Sequence, residues 1–186
     1  PGPWVLGSSR TGPSLWQQVR SRLGKDVAAV TVLGPSFDDR LDLLRVIKTD
    51  LQPKELLVAI DPASTSISPE AGRRVPGARF VDVSAGKWKG DHGRVHAKVF
   101  RFRFRGGGDL LVSGSANPSR QAWTATPDER NAELVVLQRL EKTDRLLGEL
   151  RLEQLGELPA VTKEGWQAIK ERRESAETAA EAEPGS

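Results

Sequence analysis

Two apolar runs give the strongest strand signals in the chain. Val27–Leu33 and Glu55–Ile60 are almost wholly aliphatic, and a turn containing proline follows each of them. Runs of six or seven such residues between turn signals are typical of strands buried on both faces. Between them, Phe37–Leu51 has a helical apolar period and follows Ser36, a good capping residue. The order predicts two parallel strands joined by a right-handed helical crossover.

A second signal is the alternation along Val95–Phe104. His96, Lys98 and three phenylalanines fall on one face, and small or basic residues fall on the other, which predicts a strand. Three glycines at 106–108 then predict a hairpin tip. The remaining predicted elements are helices at Pro13–Leu23, Arg120–Trp123, Glu141–Leu155 and Lys163–Ala180, and strands at Arg79–Val83, Asp109–Ser113 and Asn131–Leu137.

Composition narrows the class of protein. With 186 residues, 28% charged and 37% hydrophobic, the chain fits one folded domain rather than a disordered or membrane protein. No apolar run approaches the roughly 18 residues of a membrane span, and no signal-peptide pattern is present, so we expect a cytoplasmic protein. The absence of cysteine excludes disulfides and thiolate metal sites. Two histidines argue against a metal centre, and we expect no cofactor. The Pro-Gly-Pro start and the lack of methionine indicate a segment of a longer protein.

Charge is distributed unevenly along the chain. Residues 71–105 contain ten basic and two acidic residues, whereas residues 140–186 contain seven basic and eleven acidic ones. A basic middle region suits an anionic partner such as a nucleic acid or a phospholipid. A solvated basic edge strand is the simpler alternative.

Three short features carry candidate chemistry. His96 and Lys98 leave the same face of the predicted strand, where they could share one anion. Gly114–Asn117 follows the return strand of the hairpin and offers hydroxyl and amide donors close to them. Glu133 is an acid in an apolar strand, and such a carboxylate needs a partner. Taken singly, each feature also fits an ordinary structural role: a strand-end histidine beside a snorkelling lysine, a capped turn, or a rim carboxylate.

In combination, these features resemble the HKD signature of the phospholipase D superfamily. That signature is His-x-Lys, an aspartate five residues later, Gly-Ser-x-Asn and a later glutamate. The resemblance covers Trp4 to Leu140. The chain departs from the pattern at Arg103, which occupies the aspartate position, and Asp109 is the nearest candidate to replace it. The predicted hairpin is about four residues longer than is usual in the family. In this respect the chain resembles the restriction-endonuclease and helicase-linked branches.

The resemblance implies a fold and a domain organisation. The fold would be α/β, a phospholipase D-like α/β sandwich with a mixed central sheet flanked by helices. Residues 1–140 would form a catalytic lobe with one HKD motif. Residues 141–186 would form C-terminal helices and an acidic tail that pack on the lobe and lead into a linker.

The resemblance also implies a reaction, the metal-independent cleavage or transfer of a phosphodiester. His96 would attack phosphorus and form a phosphohistidine. Lys98, Ser115 and Asn117 would hold the phosphate oxygens. Glu133 would orient His96.

A family active site needs two histidines, and His92 lacks the Lys of the motif. The second HKD set would therefore come from a homodimer partner or from another part of the parent chain. We expect DNA as the substrate, bound by the arginines of this region, with no membrane partner, in a larger DNA-processing or defence protein. The predicted DNA-binding residues are Arg94, Arg101, Arg103 and Arg105. Two alternatives stay open: a catalytically inactive DNA-binding or scaffold module, and a phospholipase or phosphatidyltransferase.

Overall fold

The computed structural model describes residues 2–8, 11–85 and 95–182. Seven strands form one sheet, and they are β1 (Trp4–Ser8), β2 (Val27–Leu33), β3 (Glu55–Ile60), β4 (Ala78–Asp82), β5 (Val99–Phe104), β6 (Asp109–Gly114) and β7 (Glu133–Leu140). Their order across the sheet is β1-β7-β6-β5-β2-β3-β4. β2, β3 and β4 are parallel, and all other neighbours are antiparallel, so the sheet is mixed.

Helices cover both faces of this sheet. They are α1 (Leu15–Leu23), α2 (Asp42–Leu51), α3 (Ala71–Arg74), α4 (Arg120–Trp123), α5 (Leu146–Glu149) and α6 (Lys163–Ala182). The larger apolar core includes side chains of α1, α2, α4 and α6, and a smaller one lies under α5 and the 3-10 turn Leu152–Glu157. The predicted α/β sandwich with a mixed central sheet flanked by helices is confirmed. No helix in the described part of the chain is long and apolar enough to cross a membrane.

The strands predicted from apolar runs have the observed bounds, because both faces of β2 and β3 are buried. β1 was not predicted. It lies at the edge of the sheet, and Val5 on its outer face is 64% exposed, so its sequence lacks a continuous apolar run.

Two predicted helices were placed wrongly. α2 begins at Asp42 rather than Phe37, because Leu41 adopts a left-handed conformation (φ 55°) and the Asp38 carboxylate accepts from the Asp42 amide. Ser36 is therefore not its cap. The helix predicted over Glu141–Leu155 is two short pieces, α5 and a 3-10 turn, separated by Arg151, which is also left-handed (φ 55°).

The predicted strand Val95–Phe104 is shorter in the structure, because pairing begins only at Val99. Val99 pairs with Leu33 at the carboxyl end of β2 and with Ser113 near the end of β6. Ser113 in turn pairs with Val136 in β7. The segment before β5, the turn after β6 and the start of β7 therefore meet at one edge of the sheet.

Candidate active site

His96 and Lys98 lie in the extended segment that leads into β5. The Lys98 Nζ donates to the His96 carbonyl oxygen at 3.0 Å and lies 2.8 Å from the His96 Nε2. The histidine tautomer is assigned from this contact: an ammonium group has no lone pair, so Nε2 is taken as the acceptor and the ring proton is assigned to Nδ1. Lys98 is 9% exposed, whereas His96 is exposed. The histidine therefore presents its Nε2 lone pair beside a buried positive charge.

The turn after β6 brings Ser115 and Asn117 to the same place. Gly114 has φ 155°, and a Cβ there would lie 2.3 Å from the Leu134 carbonyl oxygen, so only glycine lets β7 approach so closely. Ala116 is 1% exposed and anchors the turn in the core. Ser115 on one side of it is exposed, and Asn117 on the other is half-buried.

The loop after β2 holds this turn from the other side. The Asp38 carboxylate accepts from the Arg120 amide at 2.8 Å, so it ties the start of α4 to the loop that precedes α2. Gly34 faces Pro118, the residue after Asn117, and a Cβ on Gly34 would lie 2.6 Å from the Pro118 Cδ. Asn117 is therefore held in place by residues that are distant in sequence.

Replacing Gly34 with alanine should displace Asn117 without unfolding the protein. The new methyl group would overlap the rigid Pro118 ring, and the turn would have to shift by several tenths of an ångström to relieve the contact. We expect kcat for phosphodiester hydrolysis to fall about 10²-fold, because small misplacements of a positioned group are costly. Gly106→Ala is the matched control, since a Cβ at Gly106, which follows the far end of β5, meets nothing within 4 Å. Equal activity of the two variants would contradict this role.

Glu133 is linked to Ser115 rather than to His96. Its carboxylate accepts from the Ser115 hydroxyl and, at 3.3 Å, from the Asn131 side-chain amide. The Ser115 Oγ also accepts from the Leu134 amide at 3.0 Å. In the described structure Glu133 therefore fixes the hydroxyl of Ser115, and its predicted role of orienting His96 stays a prediction.

An open pocket of about 620 Å³ joins these groups. Its walls include four of the five predicted catalytic residues, and they are His96, Lys98, Ser115 and Asn117. The Asn117 Oδ1 is buried and has no hydrogen-bond partner within the described residues. In the core, Phe100 packs on Trp123 with ring centroids 4.3 Å apart. A nucleophilic nitrogen, an ammonium, a hydroxyl and an amide around one open space suit a phosphate group.

A metal ion has no evident site in the described part of the chain. No group of three histidine, cysteine, aspartate or glutamate side chains there is placed to hold one. The lining of the pocket includes two groups that can donate to an anion, the Lys98 ammonium and the Asn117 amide.

Three of the four predicted DNA-binding arginines are described by the structure, and none of the three lines this pocket. Arg101 binds Asp109 with two hydrogen bonds of 2.8 and 3.3 Å, and Arg103 lies 3.5 Å from Glu55. Both belong to the face of β5 opposite Phe100, and Arg105 follows the far end of the strand, roughly 20 Å from Val99 at about 3.4 Å per residue. Arg94 and His92 lie outside the described residues.

Arg101 is thus engaged with Asp109, the residue suggested as a replacement for the motif aspartate. The side chains of this pair are 14% and 8% exposed. Arg101 is therefore poorly placed to neutralise phosphate, and the DNA contacts of Arg103 and Arg105 stay predictions.

At the start of α4, Arg120 forms an ion pair with Glu129 that shifts the pKa of both groups. Its guanidinium donates to Glu129, and this hydrogen bond, with help from the Thr126 hydroxyl and the charge of Arg120, lowers the pKa of Glu129. The same hydrogen bond raises the pKa of Arg120. The pair joins α4 to the turn that precedes β7.

Sequence reasoning missed the residues that hold the site from a distance. Gly34 and Asp38 lie in the loop after β2, and Asn131 precedes β7. Gly34 had a local signal as a glycine at a strand end. The contact of Asp38 with the Arg120 amide depends on tertiary structure that no local pattern shows, whereas Asn131 binds Glu133 only two residues further along the chain.

Solved structures share this fold. Nuc from Salmonella typhimurium, a phospholipase D family member, aligns at TM-score 0.50 and 17% identity, covering 84% of this chain and 93% of its own. NucT from Helicobacter pylori aligns at 0.50 and 17%, covering 83% and 98%. Yeast tyrosyl-DNA phosphodiesterase aligns at 0.52 and 9%, covering 90% of this chain and 41% of its own.

No protein-family model matches the sequence, and no curated protein matches it significantly. The resemblance to the phospholipase D superfamily is confirmed at the level of the fold.

Proposed function

We propose that this chain, which has the phospholipase D fold, is a metal-independent phosphodiesterase that cleaves DNA through a phosphohistidine at His96. The observation that carries the proposal is the single pocket lined by His96, Lys98, Ser115 and Asn117. Of the structurally similar proteins, Nuc is described as a phospholipase D family member and the yeast protein as a tyrosyl-DNA phosphodiesterase. These descriptions support phosphodiester chemistry on this fold.

In the first step, the Nε2 lone pair of His96 attacks phosphorus, a P–N bond forms and the P–O bond to the leaving oxygen breaks. Lys98 moves from Nε2 to a non-bridging oxygen, where it stabilises the charge of the transition state together with the Asn117 amide. The Ser115 hydroxyl, which donates to Glu133 in the described structure, joins them by turning its one proton to the phosphate. An acid protonates the leaving oxygen. In the second step, water attacks phosphorus and gives a proton to the deprotonated acid, the P–N bond breaks, and His96 and the acid return to their starting forms.

The acid would be a second His96, supplied by another copy of this chain. Val5, Leu134 and Val136 are 64%, 59% and 39% exposed, and Val5 pairs directly with Val136. Val136 is also the cross-strand neighbour of Ser113, which lines the pocket. An apolar patch beside an incomplete site favours a symmetric partner at that place. A second lobe elsewhere in the parent chain is the alternative source.

Mixing active and inactive chains tests the shared site. If each site uses two His96 residues, a tenfold excess of His96→Ala chains should lower the activity per wild-type chain about tenfold, because only about one wild-type chain in eleven then meets another. The mixture is equilibrated at a concentration that permits exchange and assayed for phosphodiester hydrolysis. Val136→Asp chains, which carry a charge in the proposed interface, are the control and should not inhibit. Unchanged specific activity with excess His96→Ala chains would contradict a shared site.

One observation favours a second candidate, an inactive DNA-binding or scaffold module. The Glu133 carboxylate is bound by Ser115 and Asn131, so the described contacts of His96 include no acid. A module of this kind would bind DNA and never cleave it.

An assay of cleavage in the presence of a chelator distinguishes a nuclease, a DNA-binding scaffold and a lipase. The wild-type protein is incubated with labelled single-stranded DNA, duplex DNA or phosphatidylcholine vesicles in excess EDTA. We expect DNA to be cut at an undiminished rate, because the proposed nucleophile and oxyanion donors are all side chains. Loss of cleavage in EDTA and recovery with magnesium would overturn the mechanism. Binding without cleavage would favour the scaffold, and hydrolysis confined to vesicles would favour a lipase.

A further inference from the structure

We propose that the groove between β4 and the start of α6 binds an unpaired nucleotide of a nucleic-acid strand, at a distance from the His96 pocket. The groove has a volume of about 660 Å³, and its walls include Phe80, Trp166, Arg73, Arg79 and Lys170. The inference rests on the proposed function, because it adds a second contact with the same class of substrate.

An aromatic floor gives the groove its apolar character. Trp166 is half-buried and meets Phe80 edge-on, with ring centroids 5.4 Å apart and 78° between the planes. This edge-on contact holds the Trp166 indole in place, and the Phe80 ring does not stack parallel to the indole plane. An aromatic ring in the wall of a basic groove is the usual platform for a nucleobase, whatever its sequence.

The wall that carries Trp166 is held firmly against the sheet. The Val161 amide donates to the Phe80 carbonyl at 3.0 Å, and the Asp82 amide donates to the Pro159 carbonyl at 3.0 Å. One turn further along α6, Ile169 is fully buried. The groove is therefore formed before any ligand arrives, which lowers the entropic cost of binding.

The rim of the groove carries more cations than acids. Glu70 is its acidic member, and it is shared between Arg73 and Arg74. Arg73 and Lys170 are 79% and 55% exposed, and Lys170 lies 3.7 Å from Glu174. Arg79 is engaged elsewhere, since its guanidinium donates to the Gly156 carbonyl and lies 3.9 Å from Glu55. Exposed ion pairs are weak, so a phosphate could replace the carboxylate beside Arg73 or Lys170. An aromatic floor and a cationic rim together match a base joined to a phosphate.

The groove is too distant for a small substrate to reach both sites. β4 is the edge strand, three positions from β5 in the sheet. With about 4.8 Å between strands and roughly four residues of rise, the groove lies on the order of 20 Å from the His96 segment. Only a strand of several nucleotides could occupy both sites.

Binding of a fluorescein-labelled twelve-residue oligothymidylate, followed by anisotropy at several salt concentrations, tests the inference. Arg73→Ala with Lys170→Ala should weaken binding about tenfold at low salt and reduce the log–log salt slope by roughly 1.4, or 0.7 per phosphate on a single strand. Trp166→Ala should weaken it about tenfold through lost stacking, with little change in the salt slope. Trp166→Phe, which keeps an aromatic ring in the groove, should lie between Trp166→Ala and wild type.

The matched control is Arg22→Ala with Lys25→Ala, which removes two exposed charges at the end of α1. Thermal unfolding of every variant shows whether the fold is intact. If the groove variants bind as the control does, or if Trp166→Ala alone has no effect, the inference is overturned. Hydrolysis of bis(p-nitrophenyl) phosphate by the wild-type protein is measured separately. An absence of hydrolysis would contradict the proposed function, whereas the inference about the groove would still be decided by the binding measurements.

Discussion

Replacing His96 with alanine should reduce DNA cleavage by at least about 10⁴-fold, because the residue that forms the covalent bond has no substitute in the pocket. The neighbouring donors are Lys98, Ser115 and Asn117, and each of them can bind the phosphate without attacking it. The measurement is single-turnover cleavage of a labelled oligonucleotide by wild type and variant at equal concentration.

His96→Asn is a useful companion variant, because it keeps a polar side chain beside Lys98 but lacks a nucleophilic nitrogen. Oligonucleotide affinity should stay within a few-fold of wild type in both variants, since His96 is exposed and contributes little to the core. A His96→Ala protein that still cleaves at a tenth or more of the wild-type rate would exclude His96 as the nucleophile.

Lys98→Met should lower kcat for phosphodiester hydrolysis by about 10²- to 10³-fold, the usual loss when one oxyanion donor is removed. Lys98 is 9% exposed and its Nζ lies 2.8 Å from the His96 Nε2, so its charge is placed where negative charge develops on phosphate. Methionine has a similar length and is tolerated in buried positions, which keeps the packing effect small.

Lys98→Arg should recover part of the loss, because a guanidinium supplies positive charge with a different geometry. The control is Lys54→Met, which removes an exposed lysine at the start of β3, away from the pocket. If Lys98→Met raised KM alone and left kcat unchanged, Lys98 would be a ground-state binding residue rather than a stabiliser of the transition state.

The central sheet could be predicted where burial alone decides the structure. β2 and β3 are buried on both faces, and their apolar runs gave the observed bounds. β1 was not predicted, because an edge strand with one exposed face does not need a continuous apolar run. The start of α2 depends on a left-handed Leu41 and on the Asp38 carboxylate, and neither follows from the helical period that predicts the element.

The candidate site, like the sheet, was predictable only in part. His96, Lys98, Ser115 and Asn117 come from one hairpin and its turn, so short spacing along the chain was enough to bring them together. The arginines of β5 were assigned to DNA from charge alone, and their ion pairs with Asp109 and Glu55 depend on the neighbouring strands. The positions of Gly34 and Asp38 likewise become evident only when the loop after β2 meets the start of α4.

Trapping the covalent intermediate tests the central claim most directly. Wild-type protein is mixed with a labelled oligonucleotide in EDTA, quenched in alkaline denaturant after a fraction of one turnover, digested and analysed by mass spectrometry, since a phosphohistidine is labile to acid. We predict a nucleotide adduct on the peptide that contains His96, absent from His96→Ala and removed on longer incubation as water attacks phosphorus. Cleavage without any adduct on His96, or an adduct on another residue, would contradict the account.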